Sequence, residues 1–338
     1  MLKFRQWLQR VWWEGGSGGG ALLPLSLLFI IGAAARRLAY RCGLLRRSHP
    51  GVPVVVVGNI TVGGAGKTPL VMWLARALAK RGLHVGIVSR GYRARQAGQS
   101  PRFVAAGADA DQVGDEPLLL ARRTGAPVVV ASDRAAGAAL LAEHGVQIIL
   151  TDDGLQHYAL VRDVEIAVVD GRRRFGNGRL LPAGPLREPI SRLDVVDRVV
   201  INGGEARGSA EIRMDLRGDI AVHLISGETK ALADIQAQRW HVVAGIGDPE
   251  RFFAHVESYG LQLVRHPFPD HAGFTAIDFA FGDELPILMT EKDAVKCRSF
   301  ADNRLWYLPV EPVFAPGDED RLLAPILACC SPEYAKTG

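Results

Sequence analysis

The sequence predicts an α/β protein built on a doubly wound parallel sheet, followed by a second, smaller α/β domain. The first observation is an alternation of β-branched, strand-like runs with amphipathic helical stretches over residues 51–202. The second is a shorter alternation of the same kind over 239–330. The polar stretch between them, 203–238, has short alternating pieces and predicts a β-ribbon linker. Residues 1–50 have a different character and form a separate N-terminal segment.

The composition is that of a globular protein. Of the 338 residues, 48% are hydrophobic and 22% are charged, which excludes a largely disordered chain and a polytopic membrane protein. The four cysteines include no C-x-x-C pair, so we expect neither a disulfide scaffold nor a cysteine zinc site. Residues 1–50 hold eight Lys/Arg and one acidic residue, whereas the rest of the chain holds 32 basic and 35 acidic residues. The body is therefore slightly acidic, and we expect no nucleic-acid partner.

The N-terminal segment predicts a membrane-associated helix. It has no charge from Gly15 to Ala35, and its strongly apolar part, 21–35, is short against the roughly 20 residues that cross a bilayer. Tryptophans precede this part and arginines follow it, as is typical of a membrane interface. The arginines directly after it disfavour a cleaved signal peptide, and a buried core helix is the alternative. We expect an anchor that lies in or marginally spans a bilayer with an anionic cytoplasmic leaflet.

The elements of the first domain follow in chain order from the residue patterns. An almost unbroken β-branched run over 52–57 predicts a buried parallel strand. The helix predicted over 69–81 has an apolar face and places Pro69 in its first turn, where proline is well tolerated. Similar patterns predict strands over 84–88, 127–131, 147–151, 164–169 and 198–201, and helices over 116–124 and 134–144.

The second domain repeats this layout on a smaller scale. Its first strand is predicted over 241–244, and the glycine-containing loop 245–249 joins that strand to a helix ending near Tyr259. A further helix is predicted from Glu291. The remaining strands are predicted over 261–265, 286–290 and 305–308.

A glycine-rich stretch between the first strand and the first helix has the properties of a phosphate-binding loop. Glycines allow consecutive backbone N–H groups to surround phosphate oxygens, and the helix N-terminus adds a partial positive charge. We expect Lys67 to reach the β- and γ-phosphates and the Thr68 hydroxyl to bind Mg²⁺. Thr61 stands where the usual pattern has its first glycine. The fold is thus predicted to be P-loop NTPase-like. The predicted nucleotide-binding residues are Thr61, Gly63, Gly64, Ala65, Gly66, Lys67 and Thr68.

Two consecutive aspartates follow the apolar strand that ends at residue 151. P-loop enzymes hold Mg²⁺ with a carboxylate at the carboxyl end of a parallel strand near the loop. We therefore expect Asp152 or Asp153 to face the metal together with Thr68, and a solvated Asp-Gly turn is the alternative. His157 follows closely and is expected to orient an aspartate or contact a substrate, although a lone histidine is more often structural.

Several longer motifs occur in a fixed order along the chain. They cover residues 58–69 (GNITVGGAGKTP), 89–92 (SRGY), 114–117 (GDEP), 152–157 (DDGLQH), 174–178 (RFGNG), 184–189 (GPLREP), 268–271 (FPDH) and 290–293 (TEKD). Together they resemble the tetraacyldisaccharide 4′-kinase family, which phosphorylates the 4′-hydroxyl of a tetraacylated glucosamine disaccharide in lipid A biosynthesis. The resemblance extends from the N-terminal apolar segment to about residue 310.

The resemblance implies an ATP- and Mg²⁺-dependent enzyme at the cytoplasmic face of the inner membrane, acting on the lipid A precursor tetraacyldisaccharide 1-phosphate. It implies that Asp115 is catalytic and that His271 is its partner, with His266 as the open alternative. A carboxylate that accepts the proton of a sugar hydroxyl, oriented by a histidine, suits phosphoryl transfer. From the residues alone, Asp115 also suits the N-cap of the following helix. The residues expected to contact the substrate are Asn59, Arg90, Tyr92, Gln156, His157, Arg174, Asn177 and Arg187.

Two other functions remain as alternatives. A P-loop GTPase or ATPase could use the nucleotide as a switch at the membrane, but a GTPase needs an Asn-Lys-x-Asp element to read guanine. The nearest string, 290–293, has Glu in place of Asn. A peripheral membrane scaffold with a degenerate nucleotide site would not need Lys67, Thr68 and Asp152 together, so their co-occurrence disfavours it.

Overall fold

The structure is a computed structural model that describes residues 2–92 and 100–331, with the side chains described from residue 7 onward. The helices in these ranges are α1 (Leu2–Trp13), α2 (Leu23–Arg41), α3 (Lys67–Ala79), α4 (Ala110–Val113), α5 (Asp115–Thr124), α6 (Arg134–Glu143), α7 (Pro249–Glu257), α8 (Glu291–Cys297) and α9 (Asp318–Cys329). The strands of the larger sheet are β1 (Val54–Gly58), β2 (Val85–Ser89), β3 (Arg102–Phe103), β4 (Val128–Val130), β5 (Ile148–Asp152), β6 (Val164–Asp170), β7 (Arg198–Asn202), β8 (Glu211–Arg217) and β15 (Glu311–Phe314). The smaller sheet holds β9 (Ile220–His223), β10 (Thr229–Ala231), β11 (Arg239–Ala244), β12 (Gln262–Pro267), β13 (Ile287–Thr290) and β14 (Leu305–Leu308).

The larger sheet confirms the predicted doubly wound fold. Its order is β15-β8-β7-β6-β1-β5-β2-β4-β3, and the strands from β8 to β4 run parallel. Successive side chains of β1 point to opposite faces, so Val55 and Val57 pack with helices α3 and α5, whereas Val54 and Val56 pack with α6. This double burial explains why the strand reads as an unbroken β-branched run.

The smaller sheet forms the second α/β unit. Its order is β10-β9-β14-β13-β11-β12, and the four strands β14, β13, β11 and β12 are parallel. Helix α7 packs Phe252 and Phe253 against one face of β11, and helix α8 packs Ala294 and Cys297 on the other side of the sheet. The predicted strand–loop–helix unit that starts near residue 241 is present.

The predicted linker and C-terminal boundary differ from the observed sheets. Instead of a separate ribbon, the range 203–238 is divided, because β8 extends the larger sheet while β9 and β10 join the smaller one. The chain then returns: β15 pairs antiparallel with β8, and α9 buries Leu322 and Ile326 in the core of the larger sheet. Strand pairing is a long-range property, so short alternating segments do not reveal which sheet they will join.

The N-terminal helices lie against the larger domain but leave α2 exposed. The stretch Gly19–Arg41 is long and apolar enough to cross a membrane, with a mean hydropathy of 1.7 and only 6% of the most apolar window buried. Leu28 and Ile31 are among its exposed side chains, whereas Ser26 is buried and donates to the carbonyl of Leu180. The alternative of a buried core helix is therefore wrong, because a core helix would cover its apolar face.

Candidate active site

The phosphate-binding loop lies at the carboxyl end of β1 and leads directly into α3. Helix α3 begins at Lys67, two residues before the predicted start, and Pro69 lies in its first turn. Gly66 precedes it with φ +89°, and a Cβ atom at this glycine would lie 2.2 Å from Nδ2 of Asn202. That amide donates to the carbonyl oxygen of Ala65 at 3.0 Å. Both the backbone conformation and the close approach therefore require glycine at position 66.

The departure at Thr61 has a structural reason. Thr61 is buried and forms an isolated antiparallel bridge with Leu186, and the next residue, Val62, donates its N–H to the carbonyl of Pro185. Thr61 therefore packs beneath the phosphate-binding loop, against the segment that contains Pro185 and Leu186. The side chain of Asn59 lies there too, donating to the carbonyl of Gly63 at 3.3 Å.

The two consecutive aspartates have different surroundings. The Thr68 hydroxyl donates to Asp152 Oδ2 at 3.2 Å, and burial together with the nearby Glu116 raises the pKa of Asp152 to about 7. Asp153 instead lies 3.5 Å from Lys67 Nζ and 3.0 Å from Arg187 Nη1. Although burial opposes it, the charges of Lys67 and Arg187 hold the pKa of Asp153 well below its usual range.

The surroundings of Asp152 fit a magnesium ion. Its Oδ1 is buried without a hydrogen-bond partner among the described residues, and the Thr68 hydroxyl is adjacent. A buried carboxylate oxygen without a partner is costly, and hard oxygen ligands of this kind suit Mg²⁺. Asp152 and Thr68 therefore supply a fitting pair of ligands, while Asp153 is occupied by cations.

Asp115 and His271 meet across the two α/β units. Asp115 is the first residue of α5, and His271 lies in the loop after β12, with φ +57°. His271 Nδ1 is 3.0 Å from Asp115 Oδ2 and 3.3 Å from Oδ1. Burial alone would raise the pKa of Asp115, but the hydrogen bond from His271 and the charge of Lys292 lower it to about 2. The helix cap itself is Gly114, so Asp115 is not the N-cap residue.

His266, the open alternative, lies elsewhere. Its Nε2 is 2.9 Å from Nδ1 of His241, whose Nε2 is in turn 2.9 Å from Asp283 Oδ1. Phe281 stacks on the His266 ring at 4.0 Å. The imidazole is thus engaged on the smaller sheet, and the structure brings His271, not His266, to Asp115.

The loop 245–249 of the second unit touches the phosphate-binding loop. A Cβ atom on Gly247 would lie 2.9 Å from the backbone nitrogen of Gly64, so the two backbones are in contact. Arg173 donates to the carbonyl of Gly247 at 3.0 Å and pairs with Asp248 at 3.2 Å. Arg251 of α7 donates to Asn202 Oδ1 at 2.7 Å. These contacts close one side of the site.

A cavity of about 1730 Å³ joins these parts. It extends from the phosphate-binding loop and His271 to the N-terminal helices, where Trp12, Phe29 and Arg36 line it. A space of this size, lined by both apolar side chains and charged groups, suits an amphiphilic phosphate-bearing ligand. The predicted residues that line it are Gly63, Gly64, Ala65, Gly66, Lys67, Thr68, Arg90, Tyr92, Asp152, Asp153, Gln156, Arg187 and His271.

Four of the residues expected to contact the substrate do not line the cavity: Asn59, His157, Arg174 and Asn177. Arg174 pairs with Glu211 at 2.9 Å and donates to the carbonyl of Glu205. Asn177 donates to the carbonyls of Val11 and Ala183, which fastens α1 to the body. Neither lines the cavity. The His157 ring is likewise outside the lining, and burial, with the charge of Arg134 adding to it, lowers its pKa to about 4.

Glu188 was missed from the sequence although it stands beside the predicted Arg187. Its buried carboxylate accepts from Gln156 at 2.8 Å, from the Tyr158 hydroxyl at 2.6 Å and from Arg37 of α2 at 3.2 Å. It therefore links the N-terminal helix to the loop after β5, which carries Gln156. Its place in the motif at 184–189 indicated a functional role, but the sequence prediction included only Arg187 from that motif.

The nearest string to a guanine-reading element has a structural role. Asp293 is fully buried and accepts from the Gly245 N–H at 2.8 Å and the Thr290 hydroxyl at 2.7 Å. Its other oxygen accepts from Lys296 at 2.7 Å. This carboxylate fixes the 245–249 loop and cannot read a base, which disfavours the GTPase alternative.

Known proteins resemble the chain over nearly its whole length. The family model for tetraacyldisaccharide-1-P 4′-kinase, LpxK, matches residues 20–328. The tetraacyldisaccharide 4′-kinase of Nitrosococcus oceani is 48% identical over 92% of this chain and 91% of its own. That of Halorhodospira halophila is also 48% identical, over 97% and 98%. A crystal structure of LpxK from Aquifex aeolicus in complex with ATP superposes with a TM-score of 0.77 and 28% identity, covering 93% of this chain and 99% of that one.

Proposed function

Because the chain belongs to the tetraacyldisaccharide-1-P 4′-kinase family, we propose that Asp115 and His271 act together on the acceptor hydroxyl beside the phosphate-binding loop. The chain is an ATP- and Mg²⁺-dependent kinase of lipid A biosynthesis. It transfers the γ-phosphate of ATP to the 4′-hydroxyl of a tetraacylated glucosamine disaccharide 1-phosphate. The roles of the individual residues are the proposal.

The nucleotide binds through the loop 63–68. The N–H groups of Gly63 to Thr68 surround the β- and γ-phosphates, and Lys67 supplies the positive charge. Asp152 and Thr68 would hold Mg²⁺, which when bound neutralises charge on the transferred phosphate. Asp153 has a different role, supported by its salt bridges to Lys67 and Arg187: it orients these two side chains.

The acceptor hydroxyl loses its proton to Asp115 as transfer proceeds. The acceptor oxygen forms a bond to the γ-phosphorus, the bond from that phosphorus to the bridging oxygen breaks, and the proton moves to the carboxylate. A carboxylate with a pKa of about 2 is a weak base, so it orients the hydroxyl first and accepts the proton late. Late acceptance suits the loose transition state of phosphoryl transfer. His271 holds the carboxylate by its hydrogen bond.

The acceptor occupies the cavity between the site and the N-terminal helices. Arg90, Tyr92, Gln156 and Arg187 line the cavity and are assigned to the sugar and its phosphate. The acyl chains extend toward the apolar side of α1 and α2. Arg174 and Asn177 contribute by holding the surrounding loop and α1 in place rather than by touching the acceptor.

The enzyme works at the cytoplasmic face of the inner membrane. The exposed apolar side chains of α2 and the excess of basic residues in 1–50 support this location, because such a surface favours an anionic leaflet. The lipid acceptor then reaches the cavity from the bilayer without crossing water. Helix α2 either lies in this leaflet or spans the bilayer.

The observation that carries the proposal is the 3.0 Å contact of Asp115 with His271, which lines the cavity that also holds the phosphate-binding loop. The test is a transfer assay with γ-³²P-ATP, Mg²⁺ and the disaccharide 1-phosphate in detergent micelles. We expect label in the lipid product, and a loss of about 10²–10⁴-fold in kcat for Asp115→Asn with unchanged ATP affinity.

The control acceptor is the same disaccharide already phosphorylated at the 4′ position. Labelling of that control, or release of labelled inorganic phosphate without lipid product, would favour the ATPase alternative. Full kcat in Asp115→Asn would reject the proposed role of this carboxylate.

A further inference from the structure

Lys292 lies where the two α/β units meet, and the reaction described so far gives it no role. It is the second residue of α8, within the motif at 290–293, and its side chain is 18% exposed. Its Nζ is 2.9 Å from Glu116 Oε1, 3.4 Å from Asp270 Oδ1 and 4.0 Å from Asp115 Oδ2. The same Nζ is 3.3 Å from Nε2 of His271. One ammonium group is thus shared by three carboxylates and an imidazole.

These contacts favour one nitrogen of His271 as the site of its proton. A lysine ammonium group has only donors, so it can hydrogen-bond to His271 only when Nε2 carries no proton. The proton is then on Nδ1, which donates to Asp115 Oδ2 at 3.0 Å. Asp270 Oδ1 lies 3.8 Å from Nε2 and favours the opposite tautomer. Lys292 Nζ lies 3.4 Å from this oxygen of Asp270, and its positive charge removes the preference for a proton on Nε2.

We propose that Lys292 is a positioning residue that keeps the proton of His271 on Nδ1, so that the imidazole donates to Asp115 and holds this carboxylate toward the acceptor hydroxyl. The inference rests on the proposed roles of Asp115 and His271. It also implies that the second unit must be docked for activity, since Lys292 and His271 both come from that unit, and Asp115 from the first.

The charges around the pair are consistent with this role. Helix α5 contributes Asp115 and Glu116, the loop after β12 contributes Asp270 and His271, and α8 contributes Lys292 and Lys296. The Tyr92 ring packs 5.1 Å from the His271 ring. After the hydrogen bond from His271, the charge of Lys292 is the next influence that lowers the pKa of Asp115. The three carboxylates in turn raise the pKa of Lys292, although burial opposes this.

The test compares Lys292→Met and Lys292→Arg in the full chain, with Lys230→Met as the control. Lys230 lies on β10 of the same unit, where it pairs with Glu228 at 3.5 Å and lies 4.5 Å from the centre of the Trp306 ring, so its loss removes a positive charge away from the site. The tautomer is measured by ¹H–¹⁵N NMR of histidine-labelled protein in micelles, with the His271 signals assigned from His271→Gln. Steady-state kinetics give kcat and KM for ATP.

We expect Nδ1–H in the wild type, in Lys230→Met and in Lys292→Arg. In Lys292→Met we expect the proton to move toward Nε2 and kcat to fall about 10–100-fold, with KM for ATP within twofold of wild type. Because arginine also only donates, Lys292→Arg should recover most of the lost kcat.

Three outcomes overturn the inference. One is Nε2–H in the wild type, which decides the matter even if Lys292→Met does not fold. The others are an unchanged tautomer in Lys292→Met, or an unchanged kcat in that variant. If Asp115→Asn keeps full kcat, the proposed function itself has failed, and the NMR result then still reports whether Lys292 sets the tautomer.

Discussion

The replacement of Gly66 by alanine tests the phosphate-binding loop at its most constrained position. The left-handed backbone costs a non-glycine residue about 1–2 kcal/mol. The new Cβ would also lie 2.2 Å from Asn202 Nδ2 and displace an amide that donates to Ala65. The lost hydrogen bond adds about 1 kcal/mol, so the total cost is about 2–3 kcal/mol.

In Gly66→Ala, the conformation of the loop that binds phosphate is destabilised by this free energy. If the loop moves to relieve the overlap, its N–H groups no longer surround the β- and γ-phosphates. A binding loss of about 2–3 kcal/mol corresponds to a Kd for ATP that is about 30- to 150-fold higher. Calorimetric titration of the full chain with ATP and Mg²⁺ measures it.

Gly82 provides a matched control. It follows α3 with φ +83°, and a Cβ atom there would meet open space. Gly82→Ala therefore has the same backbone cost without the overlap, and we expect it to lose about 1–2 kcal/mol of stability with unchanged ATP affinity. If Gly66→Ala binds ATP with wild-type affinity, the assignment of the phosphate-binding loop is wrong. If both variants lose ATP affinity equally, the effect results from general destabilisation.

Two further predictions concern acid stability and the membrane. The pKa of Asp115 is lowered from 3.8 to about 2, so its ionisation stabilises the fold by about 2 kcal/mol above pH 4, and about half of this is lost at pH 3. Urea unfolding should therefore show a smaller difference in the free energy of unfolding between wild type and Asp115→Asn at pH 3 than at pH 6. An equal difference at the two pH values would contradict the lowered pKa. Leu28→Glu on α2 should reduce binding to anionic phospholipid vesicles about tenfold or more, whereas Val195→Glu, at an equally exposed apolar position, should not. If both variants bind the vesicles equally, α2 does not contact the membrane.

The sequence predicted those features that depend on local chemistry. The β-branched run of β1, the glycines before α3 and the carboxylates after β5 each have a local physical reason, and each lies where the pattern indicated. The approach of His271 to Asp115 is different, because 156 residues separate them in the chain. Only the family resemblance indicated that pair, since no spacing rule reports a contact between two folded units.

The features that were missed depend on partners far away in the chain. Arg174 looks like a phosphate ligand in a basic loop, but Glu211 on β8 binds it. The final strand and helix return to the larger sheet because β15 pairs with β8. Glu188 and Lys292 both lie within the motifs at 184–189 and 290–293, but neither hydropathy nor motif spacing reveals the distant groups that surround them.

The most direct test of the account is a double-mutant cycle on Asp115 and His271. We would measure kcat for phosphate transfer in Asp115→Asn, His271→Gln and the double variant, at saturating ATP and acceptor. If the imidazole acts through the carboxylate, the double variant should lose no more activity than Asp115→Asn alone. If the two losses multiply in the double variant, the residues act independently, and the cross-domain pair is not the catalytic unit.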